Sequence, residues 1–163
     1  MDRYHRTTLV LVLLIVFVLY TRVVYVGSAD KVRVGDTFWI CDQYVCTKVR
    51  LCGAEAPEMG EPGSSEARAA LQALVAGRRV RCIQVGSGTP CDGRSKPTNG
   101  DRIVVQCFVD DLDLAGALVA QGHACDWVKF SGGAYSKDAV RWPAADATLC
   151  GFKSRRRNLR PSL

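Results

Sequence analysis

The stretch Arg50-Leu51-Cys52-Gly53-Ala54-Glu55-Ala56-Pro57-Glu58 gathers an arginine and two carboxylates in one short segment. Just before it, Thr47-Lys48-Val49-Arg50-Leu51 alternates, which predicts a strand with Val49 and Leu51 on one face and Lys48 and Arg50 on the other. Gly53 ends that strand, and Pro57 keeps the exit extended, because a residue preceding proline avoids the helical region. Glu55 and Glu58 are thus expected on a short stiff loop at a strand end, close to Arg50. An arginine beside two acids is the minimum for holding a divalent cation, clamping a phosphate and supplying a general base. A surface salt-bridge cluster would use the same residue types, so the stretch alone leaves both readings open.

Upstream, Val32 to Cys41 is β-branched and aromatic and is predicted as the first strand; it contains Gly35-Asp36-Thr37 followed by the apolar run Phe38-Trp39-Ile40. Asp42 to Val45 form a turn, and Thr47 to Cys52 return as the next strand, so Cys41 and Cys46 face each other across a hairpin at bridging distance. Downstream, Met59 to Gly63 is a flexible link. A helix then runs to Ala76, capped by Ser64 or Ser65 and stopped at Gly77, with Ala67, Ala70, Leu71 and Leu74 as its core stripe. Val80 to Val85 and Arg102 to Val109 read as strands, and antiparallel pairing between them would let Cys82 meet Cys107. Between them, Gly86 to Gly100 reads as a long exposed loop. Asp113 is expected to cap a helix over Leu114 to Gln121 that stops at Gly122. His123 to Phe130 carries Trp127 and Phe130, and a last helical region over Ser136 to Leu149 is interrupted by Pro143.

The chain has 163 residues, 48% hydrophobic and 23% charged, which suits one globular domain plus an N-terminal segment. Arg3 and Arg6 precede an apolar run from Leu9 to Tyr20, and Gly27-Ser28-Ala29 offers small residues for cleavage. Residues 1–29 are therefore expected to be a signal peptide or N-terminal membrane anchor, 30–152 the folded domain and 153–163 a basic, disordered tail. Cleaved export is the favoured form; an uncleaved anchor would extend the apolar run to Val26 past a snorkelling Arg22. Either form puts the domain outside the cytoplasm, periplasmic or secreted, or tethered to the outer face of the cytoplasmic membrane. Eight cysteines then read as disulfides: Cys41–Cys46, Cys82–Cys107, Cys125–Cys150, with Cys52 and Cys91 left over. Zinc is disfavoured, since no Cys-x-x-Cys pair exists and residues 30–163 hold the single histidine His123. Without Arg3, Arg6, Arg22 and Asp2 the formal charge falls from +6 to +4, modestly basic, which suits a partner carrying phosphates without proving one.

Taken together, Gly35-Asp36-Thr37, the Arg50 to Glu58 stretch and a later arginine opening a strand resemble the staphylococcal nuclease (thermonuclease) family over roughly Val32 to Phe152. The resemblance implies an α+β fold, a five-stranded OB-type β-barrel with about three helices, of the kind that binds oligonucleotides across one face. It implies a monomeric nuclease that uses Ca2+ to hydrolyse phosphodiesters of DNA and RNA to products with 3′-phosphate ends. Carried over by position, Asp36, Glu55 and the Ala56 carbonyl would hold calcium, Glu58 would be the general base, and Arg50 and Arg102 would grip the scissile phosphate. The chain departs from the family in three places. Glu55 replaces the usual aspartate, Val34 stands where an acid is common, and Gly100-Asp101-Arg102 replaces Tyr-Gly-Arg. Asp92-Gly93-Arg94 competes for the last assignment; Arg102 is preferred because it opens an apolar strand, whereas Arg94 falls in the long loop. Trp127, Phe130 and Tyr135 are candidates for base stacking, with core packing as the commoner role of such aromatics. His123 reads as a cap or surface residue. The rival expectations are an OB-type module that binds nucleic acid or protein without catalysis, and a membrane-tethered disulfide scaffold.

Overall fold

The computed structural model describes residues 22–137. Their strands are β1 (Val24–Val34), β2 (Thr37–Cys41), β3 (Cys46–Leu51), β4 (Ala54–Glu55), β5 (Arg79–Gln84), β6 (Thr98–Asn99), β7 (Arg102–Val109), β8 (Leu112–Asp113) and β9 (Cys125–Asp126). The helices among them are α1 (Ser64–Val75), α2 (Leu114–Ala120) and the single turn α3 (Val128–Ser131). The order β3-β2-β1-β5-β7 runs antiparallel throughout, and a parallel pairing of β3 with β7, Val49 opposite Ile103, closes the five strands into a barrel. The fold is therefore α+β, a closed five-stranded barrel of OB type with added short strands and helices. Alternation fills it: Val32, Phe38, Ile40, Val49, Leu51, Val80, Val105 and Val109 point inward, and Ala67, Leu71, Val75, Leu114 and Leu118 of the two longer helices cover the barrel.

Three of the expected bridges or pairs are present. Cys41–Cys46 crosses the β2–β3 hairpin and Cys82–Cys107 joins directly opposed residues of β5 and β7. Cys52–Cys91 is the third, pairing the two cysteines that had been left over. Cys125 is also disulfide-bonded, and Cys150, expected to be its partner, lies outside the described residues. Three buried or hairpin disulfides suit an oxidising environment. Asp113 caps α2 as expected, its carboxylate accepting from the amides of Ala115 and Gly116. Helix α1, in contrast, is entered through Gly63 in the left-handed region and has no side-chain cap, so neither Ser64 nor Ser65 plays that role. The Ser136–Leu149 helix and the basic tail fall largely or wholly outside the described residues.

The N-terminal boundary differs most from expectation. Val32 to Cys41 is not one strand: Val34 pairs with Thr37 across a two-residue turn at Gly35-Asp36. The true first strand begins at Val24, and Val24 to Ser28 pair residue for residue with Ile83 to Arg79 of β5. Gly27 is there for packing, since a Cβ on it would lie 2.2 Å from the Cys41 carbonyl oxygen. A chain starting at Asp30 would leave the β5 edge open. Losing those pairings is expected to cost about 3 kcal/mol or more, a melting temperature lower by about 10 °C, relative to a chain starting at Arg22. Thermal unfolding of the two forms followed by circular dichroism checks this, and equal melting temperatures would show the half-strand to be dispensable.

Candidate active site

The turn joining β1 to β2 positions the first acid. Gly35 is not in the left-handed region, but a Cβ on it would lie 2.6 Å from the Ala67 Cβ and 2.8 Å from the Ala56 Cβ. Only glycine lets α1 and the segment after β4 close on this turn. That approach brings the Ala56 amide to within 3.2 Å of Asp36 Oδ2, to which it donates. Thr37 Oγ1 donates to Asp36 Oδ1 at 2.8 Å, which fixes the carboxylate plane. The Leu51 amide donates to the Asp36 carbonyl at 2.9 Å and ties the turn to β3.

Arg50 lies opposite Thr37 on β3. Its Nη1 stands 2.9 Å from Asp36 Oδ2, and its Nη2 stands 3.3 Å from Glu55 Oε2. Asp36 is 1% exposed, Arg50 7%, and the Glu55 side chain 16%, so the cluster opens to solvent on the Glu55 side. Glu55 is held by more than the expected loop: it belongs to β4, which pairs with β9, Glu55 opposite Cys125. Gly53, at φ 71°, makes the bend between β3 and β4, and a Cβ there would lie 2.7 Å from that of Ser131. The structure thus brings together Asp36, Arg50, Glu55 and Ala56 of the expected set.

Glu58 and Arg102 are placed less tightly. Glu58 is exposed just past Pro57, in a turn where its amide donates to Glu61 Oε2 at 2.8 Å and the Glu61 amide donates to its carbonyl at 2.9 Å. Arg102 is half-buried at the start of β7 and its Nε donates to the Asn99 carbonyl at 3.4 Å. Register determines which way it points. Arg50 opposes Val104, while Ile103 and Val105 face the barrel interior, so Arg102 shares the outer sheet face with Arg50 as its diagonal neighbour.

Sequence reasoning underrated two features. Trp127 covers Arg50, the guanidinium carbon 5.9 Å from the ring centroid, and its amide donates to the Gly53 carbonyl at 2.7 Å. Nothing in its sequence neighbourhood links it to Arg50; the contact depends on β4 pairing with β9. Replacing Trp127 with leucine is expected to free the guanidinium and lower stability by about 1–2 kcal/mol, readable in denaturant unfolding. The second is the segment after β5, which is not the loose loop expected. Asp92 accepts from Gly86 N at 2.7 Å, Gly88 N at 2.8 Å and Thr89 Oγ1 at 2.6 Å, and Cys91 is wholly buried in its bridge to Cys52. Partial burial raises the Asp92 pKa, but these donors outweigh it and leave the carboxyl more acidic than usual. Arg94 packs against the chain after α3, where a Cβ on Gly132 would lie 2.8 Å from its Cζ. Looseness is therefore no ground for passing over Arg94; its distinction from Arg102 is that it stands on no strand of the barrel.

The aromatic candidates divide. Tyr135 is 4% exposed and belongs to the core, its hydroxyl donating to Asp113 Oδ2 at 3.3 Å; burial, then the Asp113 charge, pushes its pKa far up. Trp127 and Phe130 are half-buried and meet edge to face at 4.5 Å. His123 follows α2 and its amide donates to the Leu118 carbonyl at 2.8 Å, the end-of-helix role expected of it.

As a metal site the cluster offers two carboxylates and a neighbouring backbone carbonyl, hard oxygen donors that suit calcium and not zinc. Among the described residues no group of three or more His, Cys, Asp or Glu side chains forms a cage, and Asp36 already accepts from Thr37, Ala56 and Arg50. The donors fit calcium in kind, and are too few to complete its shell without further ligands. No protein-family model matches the chain, and no curated protein sequence matches it.

Proposed function

We propose that the protein is a calcium-dependent nuclease acting on DNA and RNA outside the cytoplasm. What supports this most is the convergence of Asp36 and Glu55 on one arginine at the end of a barrel, with Arg102 on the same sheet face. A phosphodiester resists hydrolysis because water must approach a centre ringed with negative charge. Asp36, Glu55 and the Ala56 carbonyl would hold calcium, which when bound supplies positive charge to phosphate oxygens. Arg50 spends part of its donor set on the two acids and keeps N–H groups for a phosphate oxygen; Arg102 adds a second cation from the neighbouring strand. Glu58, exposed and close in sequence to the acids, is the base that takes a proton from the attacking water.

Glu58→Gln is expected to slow cutting of single-stranded DNA by about 10²–10⁴-fold with calcium present, and EDTA is expected to abolish cutting by the unaltered protein. Cutting that is indifferent to Glu58 would move the base elsewhere. A second reading rests on the closed ion-pair network: Asp36, Arg50 and Glu55 satisfy one another, as they would in a barrel that only binds nucleic acid or a protein partner. That reading predicts salt-sensitive oligonucleotide binding with no cleavage under any metal condition.

A further inference from the structure

We propose that Lys48 binds a second phosphate, next along the substrate strand from the one at Arg50, and that Asp101 occupies Lys48 until nucleic acid displaces it. The inference rests on the reading that this face of the barrel takes nucleic acid, whether or not it cuts. It makes the ligand a strand of successive phosphodiesters and not a lone phosphate ester.

Strand β3 carries Lys48 and Arg50 two residues apart, while Val49 and Leu51 are buried in the core. Both cations therefore stand on the outer face, about 7 Å apart along the strand. The parallel register sets Val49 opposite Ile103, so one step earlier Lys48 lies beside Arg102. Lys48, Arg50 and Arg102 thus share one stretch of outer sheet. A phosphate chain that follows β3 away from Arg50 meets Lys48 next.

Lys48 is held ready for that contact. Trp39 stands opposite it on β2, and the Lys48 Nζ lies 5.2 Å from the centre of the indole ring, which steadies the ammonium at the surface. The same Nζ donates to Asp101 Oδ2 at 2.6 Å. Asp101 sits in the two-residue turn between Asn99 and Arg102, where Gly100 makes the bend at φ 63°. The pair is uneven, since the Lys48 side chain is 17% exposed and the Asp101 side chain 74%. A bridge to so exposed a partner adds little stability, so the barrel does not depend on it. An ammonium has three N–H donors, and the bond to Asp101 uses one. The Asp101 carboxylate stands where a phosphate oxygen would: it has the same sign of charge, accepts the same bond, and is free to swing into solvent. It also directly precedes Arg102, so its departure removes a repulsive charge from the neighbouring phosphate site.

The test titrates a fluorescein-labelled oligothymidylate into the oxidised full chain in EDTA, so that none is cut, over a range of sodium chloride. Circular dichroism establishes that each variant is folded. Lys48→Met is expected to bind about fivefold more weakly at roughly 0.1 M salt, with a logarithmic salt slope shallower by about 0.7, the share of one single-strand phosphate. Lys48→Gln, whose polar end suits the surface, is expected to lose the same slope, and Lys48→Arg to keep it. Asp101→Asn is expected to bind about two- to fivefold more tightly, and more tightly than Asp111→Asn, which removes an equal charge from the distant β7–β8 turn. Opposite effects at the two ends of the pair identify a phosphate site, because loss of a structural bridge would move both variants the same way. An unchanged slope in folded Lys48→Met and Lys48→Gln overturns the proposal, as does an Asp101→Asn affinity no higher than that of Asp111→Asn. If the unaltered protein binds no oligonucleotide at any salt, the nucleic-acid reading itself fails and this proposal fails with it.

Discussion

Replacing Arg50 with methionine is expected to destabilise the barrel by about 3–5 kcal/mol, because a buried carboxylate then loses its counter-charge. Asp36 is 1% exposed, and its remaining donors, the Thr37 hydroxyl and the Ala56 amide, are neutral. With Arg50 gone, Asp36 would lose its counter-charge while the Glu55 carboxylate stays nearby. Adding Asp36→Asn to the methionine variant is expected to recover much of the loss, since an amide needs no counter-charge. The double-mutant cycle by urea unfolding measures the coupling directly. A loss under about 1 kcal/mol for the single change would mean the pair is no stronger than a surface ion pair. Lysine is expected to substitute poorly, because a single ammonium cannot reach two carboxylates in the forked geometry Arg50 uses. If the nuclease proposal holds, Arg50→Met also lowers cutting by about 10²–10³-fold, and the Asp36→Asn rescue of stability leaves that loss in place.

The second large effect concerns the disulfides. Cys41–Cys46, Cys82–Cys107 and Cys52–Cys91 span 5, 25 and 39 residues of sequence. Loop-closure entropy assigns them about 2, 3.5 and 4 kcal/mol, together about 10 kcal/mol. That is the size of a domain's whole stability, so full reduction is expected to unfold the chain at room temperature. Adding dithiothreitol during a circular-dichroism measurement checks it; retention of a cooperative thermal transition after complete reduction would show the barrel core to be sufficient alone. The long-span bridges should matter most. Cys52–Cys91 also anchors the segment after β5 beside the β3–β4 bend, so its loss should loosen Glu55 before it unfolds the barrel.

Much of the barrel was legible because inward and outward residues alternate on β3, β5 and β7, and because Asp113 and the hairpin cysteines act locally. What was not legible depends on non-local contacts. Val23-Val24-Tyr25-Val26 continues the apolar character of the preceding run, and only pairing with β5 distinguishes strand from leader. Gly63 serves as the α1 cap without a side-chain bond, so the serines beside it misled. The segment from Gly86 to Cys91 has loop composition but is ordered by one aspartate and one disulfide, neither of which composition reveals. At the site, Asp36, Arg50 and Glu55 were legible from spacing. Their near-closure into an ion-pair network, and the Trp127 ring over it, required the coordinates.

The parallel pairing of β3 with β7 has a kinetic consequence. It is the seam of the barrel, joining residues about fifty positions apart, and β1 likewise waits for a partner that comes more than fifty residues later. Until β7 has emerged, every shorter nascent chain is an open sheet with two unpaired edges. Such a chain cannot close its barrel before β7, ending at Val109, has been made. Late closure thus defers the commitment to a folded state until the last barrel strand has been made, and leaves the cysteines of β2, β3 and β5 accessible until then.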